Sequence, residues 1–326
     1  MAFELDYTFQ AMGSDIRLLL GEALLPDTPS QLEAADRERT FVWQFSDRLS
    51  RFLPDSELSM LNGDLREAVP ASPLLRAAVA AGLWAAQRSG GLVDPTLTRA
   101  LERFGYDHSL VDAQPASLRE ALEHAPPRRP AEPNPRAAWR QISVDDQAGT
   151  VSRPAGVAID TGGTGKGLCA DAVALRLGGY RRYIVDCGGD IAVGGVGVQL
   201  EPYWIVVEHP LTGEPIGSLP VSAGGIATSG LNVRIWRLPD GSFAHHLLDP
   251  STLAPVWSGL VGATALGATA LEAETLSKMA LLLGPSGARE VLAEQGGVIV
   301  HDDGGVEAIG PLCGRLRSAT SGGVAA

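Results

Sequence analysis

Asp160-Thr-Gly-Gly-Thr-Gly-Lys-Gly167 packs four glycines and one lysine into eight residues. Residues 156–160 predict the end of a strand, and the spacing after them predicts a helix from about 166 to 177. Gly162, Gly163, Gly165 and Gly167 then let the backbone approach a ligand, with their amides facing it at the positive end of the helix. Such a turn suits a diphosphate; a tight turn with no ligand is the plain structural alternative. Lysine is rare here: of 26 Lys and Arg residues only Lys166 and Lys278 are lysine. An ammonium is a compact charge on a flexible stem, whereas arginine is a planar fork.

The stretch is not a Walker A loop, which needs Gly where Asp160 stands and Ser or Thr where Gly167 stands. A relaxed dinucleotide fingerprint fits Gly165-Lys-Gly167-Leu-Cys-Ala170, with Asp186 about 20 residues on. That would make a nicotinamide oxidoreductase, but it leaves Asp160 and Gly188-Gly189-Asp190 without a task.

Working outward, residues 6–20 predict two strands around Ala11-Met12-Gly13. A helix follows an N-cap at Ser30 and runs to about residue 49. Ser72-Pro73 opens an Ala-rich helix that stops at Gly90-Gly91. Asp94-Pro95-Thr96 reads as an N-cap and first turn. Residues 126–136 are a surface loop. Strands are predicted at 141–144, 150–153, 183–186, 191–193 and 203–208, and a hairpin joins 233–238 to 243–248. A helix over 268–283 ends at Gly284-Pro285, a second covers 286–295, and 298–301 with 306–309 form a closing hairpin. This irregular interleaving predicts an α+β fold of mixed sheets with packed helices. Residues 1–317 form one unit, and 318–326 a flexible tail.

The apolar fraction of 45% supports a sizeable core, and the net charge of −12 argues against a nucleic-acid partner. Cys169, Cys187 and Cys313 are too scattered for a disulfide framework or a zinc site. No apolar run is long enough to span a membrane, and the first residues lack a leader pattern. A soluble cytoplasmic protein is expected.

Eight motifs in order resemble the ApbE-type FAD:protein FMN transferases, over roughly residues 8–312. They are Ala11-Met-Gly-Ser14, Phe52-Leu-Pro-Asp-Ser-Glu-Leu-Ser-Met-Leu-Asn62, Gly91-Leu-Val-Asp-Pro-Thr96, and the glycine run with Asp171. Asp186-Cys-Gly-Gly-Asp-Ile191, Ala227-Thr-Ser-Gly230, His246-Leu-Leu-Asp-Pro-Ser-Thr252 and Ala273-Glu-Thr-Leu-Ser-Lys278 complete the set. The resemblance implies FAD in a cleft between two parts of one chain. It places Met12 and Phe52 against the ring systems, and Leu92, Val93 and Asp94 alongside the nucleotide. Asp160, Gly162, Gly163, Lys166 and Leu168 belong to the diphosphate region; Thr228, Ser229, His246 and Leu248 complete the pocket. Without the resemblance Met12 and Phe52 read equally as core, and His246 equally as structural; His245 should face the opposite side.

The implied reaction is phosphoryl transfer: a Thr or Ser of an acceptor protein takes FMN from FAD, and AMP leaves. The resemblance gives catalytic roles to His246, Lys166 and Asp94; Lys278 joins them as a departure from the family pattern. The family's Mg²⁺ is held by a carbonyl of the glycine run, an Asp, and a Thr four residues later. Those positions here are Gly165, Glu274 and Lys278, with Ser277 as a further oxygen ligand. An ammonium does not ligate a cation, so Lys278 is expected to place its own charge where Mg²⁺ would sit, paired with Glu274. Leu253 also departs, standing where the family has Gly. The alternative is an FAD-binding protein or flavin-dependent redox enzyme on the same fold.

Overall fold

The computed structural model describes residues 3–110, 113–196, 201–317 and 324–325. Among these residues the largest sheet has eight strands. In chain order they are β1 (Leu5–Ala11), β2 (Ser14–Leu20), β6 (Arg182–Cys187), β7 (Asp190–Gly195), β10 (Gly224–Gly230), β15 (Leu260–Gly267), β16 (Gly297–His301) and β17 (Val306–Ile309). They lie side by side in that order, and every pair is antiparallel. Small sheets surround it: β3 (Ala68–Pro70), β5 (Thr150–Ser152) and β4 (Ser143–Asp145); and β8 (Tyr203–Glu208) with β9 (Pro215–Val221). Two short pairs are β11 (Ile235–Arg237) with β12 (Phe243–His245), and β13 (Leu248–Asp249) with β14 (Ala254–Pro255).

Strand periodicity decides what each face of the large sheet meets. Ile16, Leu18 and Leu20 of β2 face one core with Val185 and Ala192. Leu19 between them faces the other side with Ile184, Ile191 and Val193, where Ile205, Val207 and Leu219 of β8 and β9 close over it. Helices cover the first side: α1 (Gln31–Leu49), α3 (Pro73–Arg88), α6 (Gly165–Arg176) and α7 (Ala270–Leu292), with the shorter α2 (Glu57–Gly63), α4 (Thr98–Arg103) and α5 (Leu118–Glu123) at the periphery.

The helix limits follow from their caps. Ser30 and Glu33 form a reciprocal capping box on α1. Ser72 caps α3 ahead of Pro73, and Gly90 (φ 63°) ends it in the left-handed region. α7 breaks at Gly284 (φ 70°), just before Pro285. A Cβ at Gly284 would lie 2.6 Å from the Ser258 carbonyl oxygen, so the kink holds the chain tight against the β15 approach.

Several expectations are corrected. Residues 156–160 are not a strand: the Asn62 side chain occupies the position of a partner strand. It accepts from the Ile159 N–H at 2.8 Å and donates to the Ile159 carbonyl at 2.8 Å. Asp94 caps no helix; its carboxylate closes a local turn on Thr96, and α4 starts later, at Thr98. In the 126–136 loop Ala131 is buried and its N–H reaches the Leu282 carbonyl at 2.8 Å. Leu253 has φ 60°, which explains the family's glycine there; its side chain packs beside Leu101 and Leu248. Of the expected flexible tail, 318–323 and 326 lie outside the described residues. Val324–Ala325, labelled β18, pair in parallel with β8. An edge strand offers backbone N–H and C=O groups to any chain, whatever its side chains. No helix among the described residues is long and apolar enough to cross a membrane.

Candidate functional site

A cavity of 540 Å³ opens where the ends of β10 and the β1–β2 turn meet the glycine turn and α3. Met12 enters from the β1–β2 turn, where Met12 (φ 51°) and Gly13 (φ 67°) both lie in the left-handed region. That is the backbone of a type I′ hairpin turn, and a non-glycine residue there is strained. Phe52 follows the end of α1. Its guanidinium neighbour Arg51 lies 4.2 Å from the Phe52 ring centroid and 4.6 Å from that of Tyr106. Arg51 also pairs with Asp160 at 2.9 Å. Leu92, Val93 and Asp94 come from the turn after α3, which the Ser89 hydroxyl fixes by accepting from the Val93 N–H at 2.9 Å. Burial pushes the Asp94 carboxyl above its ordinary value, against the opposing hydrogen bonds from Thr96.

The glycine turn is held from within. Asp160 accepts from the Gly162 N–H at 2.6 Å, the Thr161 carbonyl from Gly165 at 2.7 Å, and Glu274 from Gly167 at 2.9 Å. Three of the four glycine amides expected to face a ligand are therefore engaged by the protein. Gly167 serves the crossing of α6 and α7, since a Cβ there would lie 2.8 Å from the Ala270 backbone. Gly163 borders the cavity, and an added Cβ would meet nothing closer than Val93 at 3.9 Å.

Lys166 and Lys278 bring positive charge to the lining, as do Arg51, paired with Asp160, and Arg234. Lys166 reaches Asp190 at 2.7 Å and the Gly188 carbonyl at 2.9 Å. Burial pulls its pKa down, but Asp190 and Glu274 outweigh this and leave it raised, so it is an ammonium at neutral pH. Lys278 donates to Glu274 at 2.8 Å. Both lysines line the cavity, and both carboxylates lie beneath them: Asp190 is 1% exposed and Glu274 0%. Burial pushes the Glu274 carboxyl up, with the Lys278 charge opposing.

His246 lines the same cavity. Burial holds it down to about 3, helped by His245 and by the Lys278 and Lys166 charges. The imidazole is therefore neutral. Its Nδ1 lies 3.3 Å from the Arg234 carbonyl. A carbonyl only accepts, so Nδ1 carries the proton and Nε2 keeps the lone pair. His245 points the other way, as alternation requires. It is fully buried, donates to the Val256 carbonyl at 2.8 Å, and meets the Trp257 ring edge-on.

The expected residues divide as follows. Met12, Phe52, Leu92, Val93, Asp94, Asp160, Gly162, Gly163, Gly165, Lys166, Thr228, Ser229, His246, Leu248 and Lys278 all border the cavity. Thr228 and Ser229 do so with their hydroxyls engaged, on Thr264 at 2.9 Å and on Ser277 at 2.8 Å. Leu168 does not border it; it packs against the core under α1 and α3. Glu274 and Ser277 are buried behind the wall, and the Ser277 hydroxyl is spent on Ser229 and on the Glu274 carbonyl. Arg51, Tyr106, Arg234 and Asp190 are additional cavity residues. Asp190 belongs to the Asp186–Ile191 motif, which assigns it no role of its own. Arg51 adjoins Phe52, and Tyr106 belongs to a chain with few aromatics; those were the available signals.

The metal set expected from the resemblance does not fit. Glu274 has one oxygen on an amide N–H and the other on an ammonium, and Ser277 is turned away. Among the described residues no group of three or more His, Cys, Asp or Glu side chains is placed to hold a metal. The nicotinamide reading also fails on topology. β6, after the glycine-turn helix, is antiparallel to both its neighbours, whereas a dinucleotide-binding unit needs a parallel crossover.

An apolar-walled cavity with two ammonium groups and a neutral imidazole at one end suits an anionic ligand that carries rings. The sequence model of the ApbE family matches residues 12–300, and the chain belongs to that family. It is 28% identical to a protein of Klebsiella pneumoniae named FAD:protein FMN transferase, over 84% of this chain and 75% of that one. A Treponema pallidum protein of the same name is 27% identical over 82% of this chain and 77% of its own. In fold the chain is similar to the ApbE protein of Thermotoga maritima (TM-score 0.76, 23% identity, 96% of this chain and 99% of that one). It is also similar to the apo flavinyl transferase ApbE of Pseudomonas stutzeri (TM-score 0.74, 21% identity, 97% of each).

Proposed function

We propose that this chain is an FAD:protein FMN transferase and that the 540 Å³ cavity takes FAD. The observation that carries the reading is the convergence of Lys166, Lys278 and a neutral His246 on one cavity of an ApbE-family chain. Phe52 and Met12 border the ring systems, Asp94 runs alongside the nucleotide, and the glycine turn with the lysines faces the diphosphate.

The hydroxyl oxygen of an acceptor Thr or Ser bonds to the FMN-side phosphorus. The bond from that phosphorus to the bridging oxygen breaks, and AMP leaves with the electron pair. His246 Nε2 takes the hydroxyl proton. Burial chiefly keeps the imidazole neutral, so its Nε2 lone pair is free to accept, and a diphosphate anion beside it favours the protonated form. Lys166 and Lys278 neutralise charge on the non-bridging oxygens, the main service a protein gives to phosphoryl transfer. The acceptor is an unidentified protein. A cytoplasmic setting belongs to the proposal, in keeping with three unpaired cysteines.

The test is incubation of the purified chain with FAD and cell-extract proteins, read by in-gel flavin fluorescence and by mass detection of AMP. Release of AMP together with a covalently fluorescent band is expected. FAD retained intact, with no AMP in either EDTA or Mg²⁺, would instead support a flavin-binding or redox role.

A further inference from the structure

We propose that Lys278 is a built-in cation, so that this chain binds and handles the FAD diphosphate without a divalent metal. The inference rests on the reading above for the identity of the ligand. Lys278 lies on α7, one turn after Glu274, and the two side chains meet at 2.8 Å in the favourable acid-first order. Its side chain is 12% exposed, and it lines the cavity while Glu274 is wholly covered. The second Glu274 oxygen holds the Gly167 N–H, so one carboxylate anchors the ammonium and also pins the first turn of α6. Position is thereby fixed from two elements, as a metal ligand would fix an ion.

A metal ion has no vacancy in this arrangement. It would displace an ammonium from a buried carboxylate and then sit beside a second ammonium, Lys166, itself held by Asp190. The other side-chain oxygens on that turn of α7 are engaged, Ser277 with Ser229 and Thr275 with the Leu271 carbonyl. Each lysine at the cavity wall has a buried carboxylate beneath it, Lys166 on Asp190 and Lys278 on Glu274, so each positive end has an acid partner behind it. A lysine charge is covalently attached and does not exchange, whereas a bound ion is lost to chelators.

The readout is FAD affinity, followed by flavin fluorescence quenching in EDTA and in millimolar Mg²⁺, with AMP release measured alongside. The wild type is expected to bind FAD equally well, within about twofold, in both. Lys278→Thr is expected to bind at least tenfold more weakly in EDTA and to recover in Mg²⁺, because Glu274 and the new hydroxyl then offer oxygen ligands. Lys278→Met/Glu274→Gln removes both charges together, so that no buried ion is left unpaired. It should fold, bind weakly in EDTA, and gain nothing from Mg²⁺. Wild-type affinity that collapses in EDTA and returns with Mg²⁺ overturns the inference, as does unchanged EDTA affinity in the double variant. If the binding pattern holds while AMP never forms, the built-in cation stands and the transferase reading falls.

Discussion

His246 is the side chain on which the chemistry turns, because its neutral form and its tautomer are both set by neighbours. Replacing it with Ala is expected to cut AMP release by roughly 10²–10⁴-fold, as for loss of a general base, with FAD affinity kept within a few-fold. Equal losses in binding and turnover, seen in steady-state kinetics beside a titration, would make it a binding residue only. Asp186 carries a pH signature. Burial raises it to about 6, against about 3.9 in an unfolded chain. The folded state therefore holds the proton more tightly. The stability this contributes is present below about pH 4 and is lost as pH rises to about 6; it is of order 3 kcal/mol. Asp186→Asn keeps an acceptor for the Gly189 N–H and stays neutral throughout. Wild type should lose stability relative to the variant across that window in denaturant melts, and parallel pH profiles would contradict the assignment. Lys166, Lys278 and His246 were legible because a scarce residue type fell inside a recognisable motif. Arg51 and Tyr106 were not, since a cation resting between two rings depends on a loop closure that no local spacing announces.

Elements were legible where caps or turns mark them, as at Ser30, Ser72, Gly90-Gly91 and Gly284-Pro285. β10 escaped notice as a strand because Gly224-Gly-Ile-Ala-Thr-Ser-Gly230 is poor in the bulky residues that signal one. Those glycines are required by approach: a Cβ at Gly225 would lie 2.3 Å from the Thr269 carbonyl oxygen, where α7 begins. The same logic separates two glycines of the 160–167 turn. Gly167→Ala should force α6 away from α7, destabilise by about 1–3 kcal/mol, and lower the melting temperature by several degrees. Gly163→Ala has room and should leave the melting temperature nearly unchanged, while its methyl group enters the cavity and weakens FAD binding. Reversal of those two outcomes in a thermal melt and an FAD titration would show that the turn was misread. The strand expected at 156–160 failed for an instructive reason: Asn62 supplies the hydrogen bonds that the segment would otherwise take from a sheet.

At the scale of the molecule, the antiparallel sheet acts as a rigid floor whose ends deliver Met12, Asp190, Thr228 and Ser229 to one place, and the helices deliver the rest. The α+β class was legible from irregular interleaving alone. The strand order was not, because pairing between residues as distant as Ile16 and Cys187 is decided by packing on both faces. The central claim is that the lysine end of the cavity grips a dinucleotide by its phosphates while apolar walls hold the rings. Calorimetric titration of the purified chain with FAD and, separately, with riboflavin tests this most directly. FAD should bind at least 100-fold more tightly than riboflavin, which has the ring system but no phosphate. Equal affinities, or no binding of FAD, would contradict the claim.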